Sequence, residues 1–233
     1  MSRATMQAAL PGRASDLFGI GQYADGTSIV PFEIGWAEFE RDQQWSRKML
    51  RVWDIEPEHH ILITTPNFEV PWSGPLIFAL EGQGNSYSNA EPYQWDVRRS
   101  AMFLRLFPIR AILGLSEPTT TALLANGHRD LLERVETIWA RPEAAEPLRA
   151  AGLRPALFAI FGPALGLECP ERAGAHLDPQ EWTLTDGFEG PLLYTAGDRA
   201  HRLRDFVIGP GWRVENRPCP CGLPGPRLVP AGR

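Results

Sequence analysis

Residues 109–116 read IRAILGLS, a mostly apolar run that ends at a serine. Pro108 precedes the run and Ser116 can cap a helix after it, so the pattern is typical of a buried strand followed by a helix. An apolar helical face runs from Pro92 to this proline, and a second helical pattern continues from the serine to Ile138. The run is therefore predicted to be a strand between two helices.

The alternation of strands and helices extends in both directions from this run. Residues 36–53 and 74–81 each predict a helix, and the apolar runs ILITT at 61–65 and ALFAIF at 156–161 predict strands. Strands that alternate with helices form a parallel sheet that is covered by helices on both faces. We predict an α/β fold with a largely parallel sheet flanked by helices.

The pattern changes near residue 181, where short apolar runs alternate with Gly, Pro and Asp. Such spacing is typical of short strands joined by turns. We therefore predict three parts of the chain. They are a weakly patterned N-terminal segment at 1–30, the α/β core at 31–165 and a small β-rich C-terminal subdomain at 166–233.

The composition sets limits on the class of protein. The chain has 233 residues, a formal net charge of −5 and 43% hydrophobic residues, which is enough for an ordinary globular core. It carries no run of Lys and Arg, so nucleic acid is not an expected partner. No apolar segment is long enough to span a membrane, and no signal-like core begins the chain. We predict a cytoplasmic protein that binds neither nucleic acid nor membrane.

All three cysteines lie in the last third of the chain. Cys169 is followed by His176, and Cys219 and Cys221 lie in the stretch RPCPCG. Three thiols and one imidazole can hold Zn²⁺ in a closed, four-coordinate site that leaves no position for catalysis. We predict a structural zinc site that joins the two segments, with His201 as a substitute for the fourth ligand. Free thiols and a disulfide or redox pair remain alternatives.

Four stretches of the C-terminal third carry a family resemblance through their order and spacing. They are ECPERAGAH at 168–176, EGPLLYT at 189–195, AHRLRDF at 200–206 and PCPCG at 218–222. The chain resembles phenylacetate–CoA ligase-like proteins, a branch of the adenylate-forming superfamily of AMP-dependent acyl-CoA synthetases. Such enzymes join a carboxylate to AMP using ATP and Mg²⁺, and then pass the acyl group to coenzyme A. The resemblance implies that this chain shares their α/β fold.

The resemblance also implies where the phosphates of a nucleotide would bind. The family's phosphate loop corresponds to Gly26, Thr27 and Ser28, which here lie beside Asp25 and lack the usual lysine. An anionic side chain at this place opposes phosphate binding. An ordinary polar turn is the alternative interpretation of the same residues.

The adenine, magnesium and ribose motifs of the family are altered as well. Phe161 and Gly162 match the start of the adenine motif, but Ala164 and Leu165 stand where a hydroxyl and a carboxylate belong. Neither side chain can bind Mg²⁺, which needs oxygen ligands. Arg204 corresponds to the arginine of the ribose-binding strand, but proline replaces the aspartate that follows in the family.

Residues 85–88 predict a further short strand, and aromatic residues lie in or after this strand and after the strand at 61–65. They suggest a ligand pocket. They are Phe68, Trp72, Tyr87 and Tyr93. Ligands of open α/β sheets bind at the carboxyl ends of the strands, so these rings are predicted to line an acyl or aryl pocket. The alternative is that the rings belong to the core, where aromatic side chains are common.

These observations lead to one functional prediction and two alternatives. The chain starts close to the phosphate loop and ends close to the hinge before the family's C-terminal lobe, which carries a catalytic lysine. We predict a degenerate relative, truncated at both ends, that binds an acyl or aryl carboxylate, a CoA thioester or a protein partner without efficient adenylation. Zinc is the expected cofactor, whereas the altered motifs argue against the use of ATP with Mg²⁺ and of CoA.

The first alternative is an active AMP-forming carboxylate–CoA ligase that needs a separately encoded C-terminal lobe. The second is an unrelated hydrolase or transferase, although no Gly-x-Ser-x-Gly elbow is present to place a nucleophile. No catalytic residue is assigned under any of the three hypotheses.

Overall fold

The structure, a computed structural model, describes residues 17–232. It begins with an antiparallel hairpin of β1 (Leu17–Asp25) and β2 (Ser28–Gly35). The sequence pattern does not predict this hairpin, because glycines interrupt the apolar pattern of β1. One of them, Gly21, allows a close approach, since a Cβ atom there would lie 2.3 Å from the ring of Phe32. Of the predicted segment 1–30, residues 1–16 lie outside the described residues.

Five parallel strands alternate with six helices along the chain. The strands are β3 (His60–Ile63), β4 (Ser86–Asn89), β5 (Ile109–Leu115), β6 (Thr137–Ala140) and β7 (Ala156–Phe161). The helices are α1 (Trp36–Val52), α2 (Val70–Gly82), α3 (Val97–Leu106), α4 (Glu117–Ala125), α5 (Arg129–Glu133) and α6 (Pro142–Ala150). In space the strands follow the order β7-β6-β5-β3-β4, so β4 is an edge strand.

The remaining seven strands are short and antiparallel. They are β8 (Ala164–Glu168), β9 (Ala175–His176), β10 (Trp182–Thr185), β11 (Leu192–Thr195), β12 (Phe206–Val207), β13 (Trp212–Glu215) and β14 (Arg227–Pro230). Strands β8, β9, β14 and β13 extend the parallel sheet beyond β7, and β10-β11-β12 form a separate small sheet. The predicted division at residue 165 falls inside β8, and the domain boundaries stay a prediction.

The two faces of the parallel strands contact different helices, because successive side chains of a strand point to opposite faces. Ile61 and Ile63 of β3 pack in one buried cluster with residues of α1 and α2. Leu62, which lies between them, packs in a second cluster with residues of α3 to α6. The predicted fold class is therefore confirmed: an α/β fold with a sheet flanked by helices, followed by a small β-rich C-terminal part. None of the described helices is long and apolar enough to cross a membrane.

The long helix predicted after Ser116 is wrong beyond Ala125. Gly127 adopts a φ of +74°, which glycine tolerates, and it separates α4 from the short helix α5. Ile138 then lies in β6, whose four residues are all buried. A strand that is buried on both faces lacks the alternation of apolar and polar residues, so its apolar residues matched a helical spacing by coincidence.

Ser116 caps α4 as the sequence predicts, and its replacement by alanine tests that role. Its Oγ accepts a hydrogen bond from the amide of Thr119 and donates one of 2.6 Å to the carbonyl of Pro92. We expect Ser116→Ala to lower the free energy of unfolding by about 1–2 kcal/mol, measured by urea denaturation. Thr121→Ala, on the exposed face of the same helix, is the control and should change stability by less than about 0.5 kcal/mol. Equal losses in both variants would contradict the cap.

Candidate functional site

The structure brings Cys169, His176, Cys219 and Cys221 together. One potential ligand atom from each residue lies within 4.8 Å of all the others. Cys169 directly follows β8, His176 ends β9, and the other two cysteines lie in the turn between β13 and β14. Because β9 pairs with both β8 and β14, the sheet itself holds the two distant segments side by side.

The distances within this Cys₃His cluster suit a tetrahedral metal ion. The Sγ atoms of Cys169 and Cys219 are 3.6 Å apart, and Cys221 Sγ is 3.5 Å from His176 Nε2. Four ligands at tetrahedral angles with Zn–S bonds of about 2.3 Å place two sulfur atoms about 3.8 Å apart. A disulfide would need a separation of about 2.05 Å, and all three cysteines are free.

The surroundings of the cluster affect the protonation of its ligand atoms. Burial, assisted by the charge of Arg227, lowers the pKa of His176 to about 4, so its imidazole is neutral at pH 7. A neutral imidazole is the form that binds a metal. Burial raises the pKa of the Cys169 and Cys221 thiols, so the interior disfavours their thiolates unless a cation lies beside them.

The loop that carries Cys169 is held by groups that the sequence analysis did not assign to the site. The indole N–H groups of Trp53 and Trp139 donate hydrogen bonds of 2.9 and 3.1 Å to the carbonyl oxygen of Glu168. The carboxylate of Glu168 is fully buried and accepts hydrogen bonds from the amides of Leu157 and Gly174. These hydrogen bonds hold the residue that directly precedes the first cysteine.

His201 is not placed to act as the fourth ligand. Its Nε2 lies 3.0 Å from the hydroxyl oxygen of Tyr23, and its ring contacts the rings of Tyr23 and Phe32. Tyr23 in turn lines a separate cleft, whose lining includes none of the four cluster residues. His176 therefore supplies the imidazole of the cluster.

A cleft of about 910 Å³ lies at the carboxyl ends of the parallel strands. Its walls are the hairpin β1–β2, the segment 67–72 that follows β3, Arg141 after β6, and the end of β7. This is the position where ligands bind in open α/β sheets. Apolar side chains such as Ile20, Val70 and Ile160 form much of its lining.

The main polar feature of the cleft is an ion pair between Arg141 and Glu69. Both side chains are only 13% exposed, and the guanidinium also lies 5.0 Å from the ring centroid of Phe158. Among the described residues that line the cleft, Arg141 is the one cationic side chain. The arrangement can hold a mainly apolar ligand with one polar or anionic group.

The cleft contains some of the predicted pocket residues but not others. Phe68 and Trp72 line it, and the indole N–H of Trp72 donates a hydrogen bond to the carbonyl of Gly162. Tyr87 and Tyr93 do not line it. They follow or belong to β4, and because β4 is the far edge of the sheet, their rings lie away from the cleft. The sequence could not indicate this, because strand order is not visible in it.

The predicted nucleotide residues are likewise divided. Phe161 and Gly162 line the cleft. Gly26 and Thr27 form the two-residue turn of the first hairpin, and Ser28 begins β2; all three are exposed and absent from the cleft lining. Arg204 is exposed near the small sheet and does not line the cleft either.

The positions expected to bind Mg²⁺ hold no oxygen ligand in their side chains. Ala164 and Leu165 lie in β8 and pack against the core. The charged side chains that line the cleft among the described residues are Arg141 and Glu69, which pair with each other. The geometry thus offers a binding cleft without an evident cradle for a triphosphate.

No family model matches the chain, and no curated protein matches it. Solved structures do match. A 2-hydroxyisobutyryl-CoA ligase in complex with 2-HIB-AMP and CoA has a TM-score of 0.66 and 15% identity, over 97% of this chain and 60% of that one. A putative long-chain-fatty-acid CoA ligase from Rhodopseudomonas palustris has a TM-score of 0.57 and 15% identity, over 94% of this chain and 60% of that one.

The O-succinylbenzoate coenzyme A synthetase from Bacillus subtilis, in complex with AMP, has a TM-score of 0.57 and 12% identity, over 84% of this chain and 46% of that one. The chain thus spans at most 60% of the length of these three proteins. Similarity at such low identity concerns the fold, because one fold serves many functions. The chain has the fold of part of the adenylate-forming acyl-CoA ligases.

Proposed function

We propose that this protein binds an acyl or aryl carboxylate, or its CoA thioester, in the cleft beside β7 without efficiently adenylating it. It would be a degenerate member of the phenylacetate–CoA ligase-like branch. The observation that carries the proposal is the apolar cleft of about 910 Å³ at the carboxyl ends of the strands, with the Arg141–Glu69 pair in its wall. The ligases with the same fold bind acyl-AMP and CoA, which supports a related ligand.

The size and lining of the cleft fit this class of ligand. Small-molecule sites are concave, mostly apolar and about 300–1,000 Å³ in volume. An aryl ring or acyl chain would pack against Ile160 and Phe161, which line the cleft at the end of β7. Arg141 supplies a cation for a carboxylate or thioester oxygen, while its pairing with Glu69 prevents an isolated buried charge in the empty site.

The loss of adenylation is inferred from what the cleft does not offer. Phosphoryl chemistry depends on positioning and on cations that stabilise the developing charge. The turn at Gly26 and Thr27 is exposed and outside the cleft, and Ala164 and Leu165 provide no oxygen ligand for Mg²⁺. A carboxylate ligand would bind in the cleft, but the cleft would lack the groups that bind and activate ATP for its adenylation.

The Cys₃His cluster is proposed to hold a structural zinc ion. Its three thiolates and one neutral imidazole are a ligand set that zinc prefers, and four protein ligands leave no open position. When bound, zinc would supply a cross-link between the loop after β8 and the turn between β13 and β14. It would contribute to folding and would not take part in a reaction.

Titration calorimetry of metal-quantified protein tests the function. Phenylacetate, phenylacetyl-CoA, a long-chain acyl-CoA and ATP–Mg²⁺ are added in separate experiments. We expect heat from at least one of the acyl or aryl ligands and none from ATP–Mg²⁺. Micromolar binding of ATP–Mg²⁺ would overturn the proposal that the nucleotide site is lost, and it would favour an active ligase. Silence with all four would overturn the proposal of an acyl-binding cleft.

Gly19→Leu is predicted to block the cleft. Gly19 lines the cleft, and a Cβ atom there meets no other atom within 4 Å, so a leucine side chain can extend into the open space without displacing the protein. We expect the ligand that binds the wild type to bind this variant at least about tenfold more weakly, a loss of about 1.4 kcal/mol.

Gly82→Leu is the matched control for this substitution. Gly82 lies in α2 outside the cleft, and its Cβ would meet only a guanidinium nitrogen of Arg47, at 3.7 Å. The control should bind the ligand as the wild type does, with a similar melting temperature. Wild-type affinity in Gly19→Leu would show that the ligand binds elsewhere.

A further inference from the structure

A buried arginine lies beside the Cys₃His cluster on β14. Arg227 is 3% exposed. In the antiparallel ladder it is the direct partner of His176 on β9 and of Glu215 on β13. Side chains at paired positions of an antiparallel sheet point to the same face. The guanidinium therefore shares a face of the sheet with the imidazole of the cluster.

The hydrogen bonds of Arg227 leave part of its guanidinium unused. Its Nη2 donates a hydrogen bond of 2.9 Å to the carbonyl oxygen of Arg217, whereas Nε and Nη1 are buried and have no hydrogen-bond partner among the described residues. The neighbouring carboxylate of Glu215 pairs with Arg213 and Arg217 instead. A buried cation that lacks an anion is costly, so the site calls for a negative charge beside Arg227.

The charge of a loaded cluster meets this requirement. One Zn²⁺ ion, three thiolates and one neutral imidazole sum to −1, and Arg227 carries +1. Taking a net negative metal complex out of water is unfavourable, and so is burying a lone cation; placed side by side, each offsets part of the cost of the other. Groups around a metal site that orient its ligands or balance their charge affect metal affinity strongly.

We propose that Arg227 is the counter-ion of an anionic zinc–thiolate cluster, in which its guanidinium interacts with the side chain of Cys219. The inference rests on the proposed zinc site. It makes Arg227 a positioning residue: the guanidinium does not bind the metal, but it stabilises the ionised form of a ligand that does. This role explains why an arginine is buried at a position where the neighbouring carboxylate, that of Glu215, pairs with Arg213 and Arg217.

Three variants test the role of Arg227. Arg227→Met removes the charge and keeps the length of the side chain, Arg227→Lys keeps the charge, and Arg213→Met is the control. Arg213 lies on the adjacent strand β13 and is 46% exposed, so its replacement changes the net charge equally without changing the cluster. Zinc affinity is measured by competition with a chromophoric chelator, and Co²⁺ substitution reports the thiolate-to-metal absorption of the intact ligand set.

We expect Arg227→Met to bind zinc about 10- to 100-fold more weakly than the wild type, with Arg227→Lys within a few-fold and Arg213→Met unchanged. The Co²⁺ absorption of all three should keep the intensity of three thiolates. Wild-type zinc affinity in Arg227→Met, or an equal loss in Arg213→Met, would overturn the proposal. Should Arg227→Met fail to fold, Arg227→Gln against Arg227→Lys makes the same comparison. Failure of the wild type to bind zinc would instead refute the zinc site itself.

Discussion

Replacing Cys221 with serine is expected to abolish stoichiometric zinc binding and to lower the free energy of unfolding by at least about 3 kcal/mol. Cys221 Sγ lies 3.5 Å from His176 Nε2 and accepts the amide hydrogen of Leu223 at the same distance. Serine would leave a hydroxyl, which is a poor ligand for zinc, and a three-ligand site. A zinc ion bound there would join two segments that only the sheet otherwise connects, so its loss would remove folding free energy directly.

Metal content by mass spectrometry and urea denaturation of the same samples measure this effect. A pair of histidine variants is the control. His176→Asn should lose zinc as Cys221→Ser does, whereas His201→Asn should keep one zinc per chain, because His201 contacts Tyr23 and lies outside the cluster. If Cys221→Ser keeps both the metal content and the stability of the wild type, the cluster holds no structural zinc.

The Cys₃His cluster shows how much of the candidate site residue types and turn signals can predict. Cys219 and Cys221 stand among prolines and glycines, which indicated a turn outside the core, and three thiols with one imidazole suggested the ligand set. The sequence does not show that β9 and β14 pair, which is what brings His176 to that turn. It also does not show that Trp53 and Trp139 donate hydrogen bonds to the carbonyl of Glu168, because bonds between residues far apart in the chain produce no periodic pattern in the sequence.

The fold was predictable where single segments carried their own signal. Apolar runs bounded by prolines marked β5 and β7, and amphipathic patterns marked α1 and α3. Prediction failed where tertiary contacts, and not the local sequence pattern, determine the secondary structure. Ile138 fits a helical spacing but lies in a strand that is buried on both faces. The β1 strand contains Gly19 and Gly21, of which Gly21 packs closely against Phe32 of the opposing strand, so its alternation of apolar residues is broken.

The ligand cleft depends on strand order, which single segments do not encode. Phe68 and Tyr93 both follow predicted strands and looked equivalent in the sequence. In the structure, Phe68 follows β3 and lines the cleft, whereas Tyr93 follows the edge strand β4 and stacks on Trp95 with ring centroids 5.9 Å apart. The two positions differ only because β3 lies inside the sheet and β4 lies at its edge.

Replacing Arg199 with methionine is expected to cost about 3–5 kcal/mol of stability, because it removes the cation that pairs with the buried carboxylate of Glu38 and leaves Glu181 with Arg41 alone. Arg199 pairs with Glu38, Asp42 and Glu181 at 3.4, 2.8 and 2.9 Å, and its side chain is only 3% exposed. Glu38 and Asp42 lie in α1, while Arg199 follows β11, so these ion pairs fasten the first helix to the C-terminal part. Arg202→Met is the control, because Arg202 is 59% exposed and should cost less than about 1 kcal/mol.

The pH dependence of this loss separates charge from packing. Burial already raises the pKa of Glu38 in the wild type, despite hydrogen bonds and the charge of Arg199, which lower it. Without the arginine the folded-state pKa should rise further. A carboxyl whose pKa is higher in the folded state contributes stability below its unfolded pKa and loses it as pH rises through the folded pKa. The deficit of Arg199→Met relative to the wild type should therefore be larger at pH 8 than at pH 5.

A deficit that is the same at both pH values would mean that lost packing of the arginine on Trp182, whose ring centroid lies 4.7 Å away, explains the effect. A second substitution resolves the pairwise contribution. Glu181→Met removes one of the three carboxylates, and in the double variant it should restore part of the stability lost in Arg199→Met. Replacing several members of a buried ion-pair network together costs less stability than removing one partner alone. Additive losses in the double variant would contradict a direct ion pair as the source of the stability.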